Sequence, residues 1–147
     1  MEKIIWIFTF FGILFISCSI DSGKSNPSIA IECDDLAEIF DETDFNTIET
    51  SNYTIIDVQL NDDCLEIRFG ASGCDPEPWE MNLYSTDAFY AVFPLQRTVK
   101  MELINNQACA AYFEVDISFD LSAFQIEGQN EIPLNIEGWD EQVVYEY

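Results

Sequence analysis

Residues 56–69 read IDVQLNDDCLEIRF, the clearest strand pattern of the chain. Apolar and polar side chains alternate on both sides of a central Asp62-Asp63 pair, as they do in two strands joined by a tight turn. A two-residue turn gives the hairpin one apolar face and one polar face. The opposed pairs are then Leu60 with Leu65, Val58 with Ile67, Ile56 with Phe69 and, on the polar face, Asp57 with Arg68. The sequence therefore predicts a β-hairpin that buries one side in a core.

The same alternation recurs along the rest of the chain. Its longest run is 112–121, where every second residue is apolar, and shorter runs occur at 79–84, 98–103, 132–136 and 143–147. About seven short strands with regularly spaced turn signals are typical of an all-β sandwich or a small barrel. Of the two, the sequence favours an antiparallel β-sandwich with Greek-key connections.

Two further features refine this prediction. Cys64, Trp79 and Cys109 resemble the Cys-Trp-Cys hallmark of immunoglobulin domains in order but not in spacing. We therefore expect an immunoglobulin-like architecture without membership in that family. Only 33–42 shows helical spacing of its apolar residues, so the sequence also predicts one short N-terminal helix.

The composition excludes several kinds of chemistry. The chain has 147 residues, of which 28 are Asp or Glu and five are Lys or Arg, with no His and a formal charge of −23. Without His, a Ser-His-Asp or Cys-His catalytic arrangement within the chain and a His-ligated zinc site are excluded. Nucleic acid is not an expected partner, because binding to phosphates depends on clustered Lys and Arg. The negative field would instead attract cations and basic proteins.

The first residues have the pattern of an export signal. Lys3 precedes an almost wholly apolar run, 4–16, which is shorter than the roughly 20 residues needed to span a bilayer. An uncleaved anchor and a plain signal peptide are the alternatives to lipoprotein processing. We expect 1–17 to be removed as a signal peptide, 18–29 to form a lipidated flexible tether, and 30–147 to form a single domain.

Phe15-Ile16-Ser17-Cys18 resembles the lipobox of bacterial lipoproteins, with Phe15 in place of the usual Leu. The resemblance implies that Cys18 is acylated and anchors the protein to the cell envelope, with the outer membrane as the expected destination. The periplasmic and the surface-exposed side both stay open. Through Cys109 and the later run 119–122, the chain also resembles small, acidic lipoproteins of Bacteroidota whose role is unassigned.

Four cysteines remain when Cys18 is set aside, an even number in an oxidising compartment, so the sequence predicts two disulfides. Strand positions favour the pairs Cys33–Cys64 and Cys74–Cys109. Cys64 falls on the outer face of the hairpin, where an N-terminal segment could cross it. Cys109 shares the inward parity of strand 112–121, so an interior Cys74 suits it better. A four-cysteine zinc site is the alternative, but the chain has no Cys-x-x-Cys pair.

The sequence predicts no cofactor and no metal site; calcium is the one metal ion considered further, because it needs only oxygen ligands. The candidate ligands are Asp41, Asp44, Asp62, Asp63 and Asp140, and none of them lies in an EF-hand pattern. No carboxylate pair stands out as catalytic, and the expected function is that of a non-enzymatic envelope lipoprotein, an acidic binding or structural module. One alternative is an inhibitor or immunity-type lipoprotein that binds a basic protein. The other is a calcium-dependent adhesion or glycan-binding accessory module.

Overall fold

A computed structural model describes residues 32–88 and 94–147. The predicted signal peptide, the tether and Cys18 lie outside these residues. Strands make up 54% of the described residues, which confirms the mostly β class. The described part contains β1 (Asp35–Phe40), β2 (Tyr53–Asn61), β3 (Cys64–Gly73), β4 (Glu80–Thr86), β5 (Arg97–Ile104), β6 (Ala111–Asp120), β7 (Glu131–Ile136) and β8 (Val143–Glu146).

Helical structure in the described residues is limited to α1 (Glu42–Phe45) and a 3₁₀ turn at Ser122–Phe124. None of this helical structure has the length and apolarity that a membrane-crossing helix requires.

The eight strands form one mixed sheet in the order β2-β3-β6-β1-β4-β5-β7-β8, which is nearly closed into a barrel. Strand β1 pairs in parallel with both β4 and β6, and β5 pairs in parallel with β7. The predicted antiparallel, immunoglobulin-like sandwich is therefore wrong. Alternating side chains are common to parallel and antiparallel strands, so the alternation could not reveal which strands pair in parallel.

The β2–β3 hairpin confirms most of the predicted register. Leu60 pairs with Leu65, and Asp57 pairs with Arg68, across a turn at Asp62 and Asp63. Asp62 has a φ of 52°, in the left-handed region that such turns use. One predicted pair is wrong, because a bulge between Ile55 and Asp57 places Ile55 opposite Phe69 and leaves Ile56 exposed. A bulge of this kind shifts the register by one residue and turns the side chain to the other face.

The predicted N-terminal helix is also wrong. Most of 33–42 forms strand β1, which is hydrogen-bonded to β4 on one side and to β6 on the other. Ala37 on this strand is buried in the core. A helix of this length has little stability in water without tertiary support, whereas pairing on two sides satisfies the backbone of β1. Only the four residues of α1, which follow the strand, are helical.

The core fills the inside of the curled sheet. At the two edge strands, β2 and β8, side-chain hydrogen bonds rather than backbone pairing tie the sheet to the rest of the barrel. The Tyr53 hydroxyl, on the edge strand β2, donates to the Met101 carbonyl at 2.6 Å, and Asn52 Nδ2 donates to the Leu103 carbonyl at 2.8 Å. These carbonyls lie beyond the part of β5 that pairs with β7. At the other edge the Tyr145 hydroxyl, on β8, donates to the Asp63 carboxylate in the β2–β3 turn.

Because Tyr53 and Tyr145 are buried and hydrogen-bonded, we expect the protein to lose stability at high pH. Burial raises the pKa of the Tyr53 and Tyr145 hydroxyls above the ordinary value of 10.0, and the Asp63 hydrogen bond raises that of Tyr145 further. Above about pH 10 the unfolded chain releases these protons while the folded chain keeps them, so the free energy of unfolding falls. Urea titrations across this pH range should show a shallower fall for the Y53F/Y145F variant. An equal slope for the variant and the wild type would contradict the prediction.

Candidate functional site

Two disulfides bracket the β3–β6 ladder. They join Cys33 to Cys64 and Cys74 to Cys109, with Cα–Cα distances of 5.6 Å and 4.9 Å. These are the favoured pairs, and only the second forms for a reason other than the predicted one. Cys64 shares the outward parity of Glu66 and Arg68 and is buried where it is bridged to Cys33, as predicted, whereas both Cys74 and Cys109 are exposed. The second pair meets because Gly73 lies opposite Ala111, so the residues just beyond these two strand ends come together.

Gln107 organises the loop beside the exposed disulfide. Its Oε1 accepts hydrogen bonds from the backbone N–H groups of Cys74 at 2.6 Å and Asp75 at 3.0 Å, and from Trp79 Nε1 at 3.3 Å. Its Nε2 donates to the Asp75 carbonyl at 2.8 Å. The sequence pattern did not single out Gln107, because a glutamine in a polar run carries no local signal of such a role. Its contacts are those of a structural residue that holds the 74–79 loop against the connection between β5 and β6.

The calcium candidates do not come together. Asp41 caps α1, where its Oδ1 accepts from the backbone N–H groups of Thr43 at 2.8 Å and Asp44 at 3.1 Å. These hydrogen bonds lower the pKa of the Asp41 carboxyl. Asp62 and Asp63 lie in the β2–β3 turn, and Asp140 is exposed between β7 and β8. Within 32–88 and 94–147, no three His, Cys, Asp or Glu side chains are arranged to hold a metal ion. Calcium therefore gains no support from these positions.

The surface of the described domain is dominated by negative charge. Three of the five basic residues lie in the described ranges, and none of them presents an isolated cation to solvent. Arg97 is 3% exposed, and Arg68 Nε lies 2.7 Å from an Asp116 carboxylate oxygen. Lys100, with 12% of its side chain exposed, lies 3.6 Å from Glu137. Among the described residues, Arg97 is the only charged residue that is buried. The Asp and Glu side chains of this part of the chain are therefore all at least partly exposed.

Lys100 lines a groove on the surface of the described domain. This groove, of about 400 Å³, lies between α1 and the outer side of β5. The Lys100 ammonium donates to the Phe45 carbonyl at 3.3 Å and lies 5.0 Å from the centroid of the Phe45 ring. Together with Glu137, these contacts satisfy the cation from within the protein. Lys100 therefore fastens α1 to the sheet and is poorly placed to attract an anionic ligand.

A second, polar groove of about 280 Å³ lies on the outer side of β3 and β6. The Arg68–Asp116 ion pair lies in its wall, and hydrogen bonding to Asp116 raises the pKa of Arg68. Farther along the same side, Tyr112 is 57% exposed. We call this side of the two strands the β3–β6 outer face; its side chains are Glu66, Arg68, Ser72, Tyr112, Glu114, Asp116 and Ser118, with Gly70 among them.

These features define an acidic, disulfide-braced, mostly β domain. No protein-family model matches the chain, and no curated protein matches its sequence. The solved structures that are similar in fold include the following two. The first, a protein of unknown function (DUF1344) from Bacteroides vulgatus, has a TM-score of 0.52 and 17% identity, covering 77% of this chain and 56% of that chain.

The second is a putative toxin related protein from Parabacteroides distasonis, with a TM-score of 0.50 and 15% identity, covering 77% of this chain and 58% of that chain. The chain thus spans well under two thirds of either structure. At these identities the likeness shows the fold alone. Both of these neighbours are Bacteroidales proteins.

Proposed function

We propose that the protein is a non-enzymatic lipoprotein of the cell envelope, anchored to the outer membrane through Cys18. The pairing of the cysteines is the observation that supports this proposal. Of the five cysteines, four are paired with one another in the domain, which leaves Cys18 in the lipobox-like segment. Disulfides of this kind form in oxidising compartments outside the cytosol, where a lipoprotein would reside.

Replacement of Cys18 by Ala tests this anchoring. When the protein is expressed in a bacterium with a lipoprotein pathway and supplied with labelled palmitate, the wild type should carry the label and sediment with membranes. The C18A variant should lose the label, because the acyl chains that supply the membrane affinity are attached at this thiol. The neighbouring S19A variant is the control and should keep both properties. Wild-type protein without label, or with residues 1–17 intact, would contradict the proposal.

A second candidate function is supported by the surface charge. The domain would bind a basic protein, as an inhibitor or immunity-type lipoprotein does. Supporting observations are the net charge of −23 and the described basic residues, which are buried or held by acceptors of the protein itself. Such a field speeds the encounter with a cationic partner and repels other polyanions. Failure of the wild type to bind a cationic peptide at low ionic strength would contradict this function.

A further inference from the structure

Tyr112 is held in an unusual place at the start of β6. A Cβ atom added to Gly70 would lie 1.7 Å from the Tyr112 hydroxyl oxygen and 2.3 Å from its Cζ. The phenol end of the ring therefore occupies the space that a side chain on Gly70 would take. Among the described residues, the Tyr112 hydroxyl has no hydrogen-bond partner, and the residue remains 57% exposed. Because Gly70 has no side chain, the Tyr112 ring can pack directly on the sheet. More than half of the surface of Tyr112 nevertheless stays exposed to solvent.

The ring adjoins carboxylates on the β3–β6 outer face. Glu114 lies directly opposite Gly70 in the strand register, and Asp116 lies opposite Arg68. Arg68 donates to both oxygens of Asp116, at 2.7 Å and 3.3 Å, so this cation is already neutralised. The 280 Å³ groove continues beyond the ion pair, between Asp34 and Glu66. Along this face, side chains two residues apart are spaced by about 7 Å.

We infer that the β3–β6 outer face, with Tyr112 as its anchor, docks an extended basic segment of a protein partner; this inference rests on the basic-partner function proposed above. A Lys or Arg side chain of the partner would stack on the exposed ring while Glu114 pairs with its charge. The next side chain on the same side of an extended segment lies about 7 Å farther on, which matches the step along β6 from Glu114, beside the ring, to Asp116.

Charge and residue type argue for this occupant over others. A second copy of the chain would bring two charges of −23 together, and a phosphate-rich partner would be repelled in the same way. Tyr is one of the residues that most often anchor protein interfaces, and the face of its ring attracts Lys and Arg. The Tyr112 ring therefore gives a basic partner one specific contact on the β3–β6 outer face. The rest of the acidic surface offers only charge.

The test is a titration of the full-length protein in detergent with an octapeptide of alternating Lys and Ser, at physiological ionic strength. Y112A leaves the net charge unchanged and should weaken binding about three- to fivefold, which is the contribution of an exposed cation–π contact. Y112F keeps the ring and should bind like the wild type. V144A, at an exposed apolar residue on β8, is the matched control and should also leave the affinity unchanged.

A second pair of variants separates the docking face from general charge. E114Q and E146Q remove the same charge, from β6 and β8 respectively, and E114Q should weaken binding more. If the ring serves only to cover Gly70, Y112A lowers the free energy of unfolding and leaves the affinity intact, which overturns the docking face. Equal binding by the wild type, Y112A and E114Q overturns it too, although the basic-partner function survives. If the wild type binds the Lys-Ser peptide no better than a Glu-Ser peptide, both proposals fail.

Discussion

Replacing Cys33 and Cys64 together by Ala is expected to lower the free energy of unfolding by about 4 kcal/mol. The bridge closes a loop with a sequence separation of 31 residues, and the chain-entropy account assigns most of the effect to the unfolded chain. Cys64 is also 2% exposed, at the first position of β3, so its replacement leaves a gap in packed structure. Denaturant unfolding of the oxidised wild type and the double variant measures the difference.

The Cys74–Cys109 pair is the matched comparison. Its sequence separation of 35 residues is similar, but both cysteines are exposed. The C74A/C109A variant should therefore lose the loop-closure contribution and little packing, which makes its loss somewhat smaller. The Gln107 hydrogen bonds should still hold the 74–79 loop in place. A loss of less than about 1 kcal/mol for the C33A/C64A variant would contradict the stabilising role assigned to that bridge.

The R97M variant is expected to lose about 3 kcal/mol of stability. Arg97 Nη1 donates to the Thr86 carbonyl at 2.7 Å, and Nε donates to the Phe124 carbonyl at 2.9 Å. Its guanidinium carbon also lies 5.8 Å from the centroid of the Phe124 ring. Met fills much of the volume but donates no hydrogen bond, and each carbonyl left without a donor in a buried place costs about 1 to 3 kcal/mol.

The R68M variant is the control for this change. Arg68 is exposed, and its ion pair with Asp116 is open to water and salt, so its loss should affect stability much less than the loss of Arg97. Thermal or denaturant unfolding of the two variants side by side provides the comparison. Similar losses for the two variants would show that burial does not decide the difference, contrary to the role given to Arg97. Burial lowers the pKa of Arg97, but an arginine stays charged across the accessible pH range.

The β2–β3 hairpin was predictable because both of its causes are local. Alternation along 56–69 and a turn-forming Asp pair specify most of its register within one short segment. The bulge next to Ile56 was not predictable, because a bulge depends on how the strand curves into the sheet. The same limit applies to β1, where a six-residue stretch compatible with helix or strand became a strand through pairing with β4 and β6.

The candidate docking face was predictable only in part. The alternation of 112–121 predicts Glu114 on the outward side of its strand, and Tyr112, two residues earlier on β6, shares that side. The glycines and prolines around and after Gly70 are typical of loops and bulges, whereas β3 continues through Gly73. The Tyr112 ring packs on Gly70 because of the register between β3 and β6. These two strands are far apart in the chain, so the contact could not be predicted from local sequence.

Charge, the absence of histidine, the number of cysteines and the alternation of strands can all be read along the chain, because each is a property of composition or of near neighbours. Strand order, parallel pairing, burial of Arg97 and placement of Tyr112 arise only when distant segments meet. The contacts between distant segments are stabilised by apolar burial and by hydrogen bonds that two segments form together. The sequence of either segment alone therefore does not determine them.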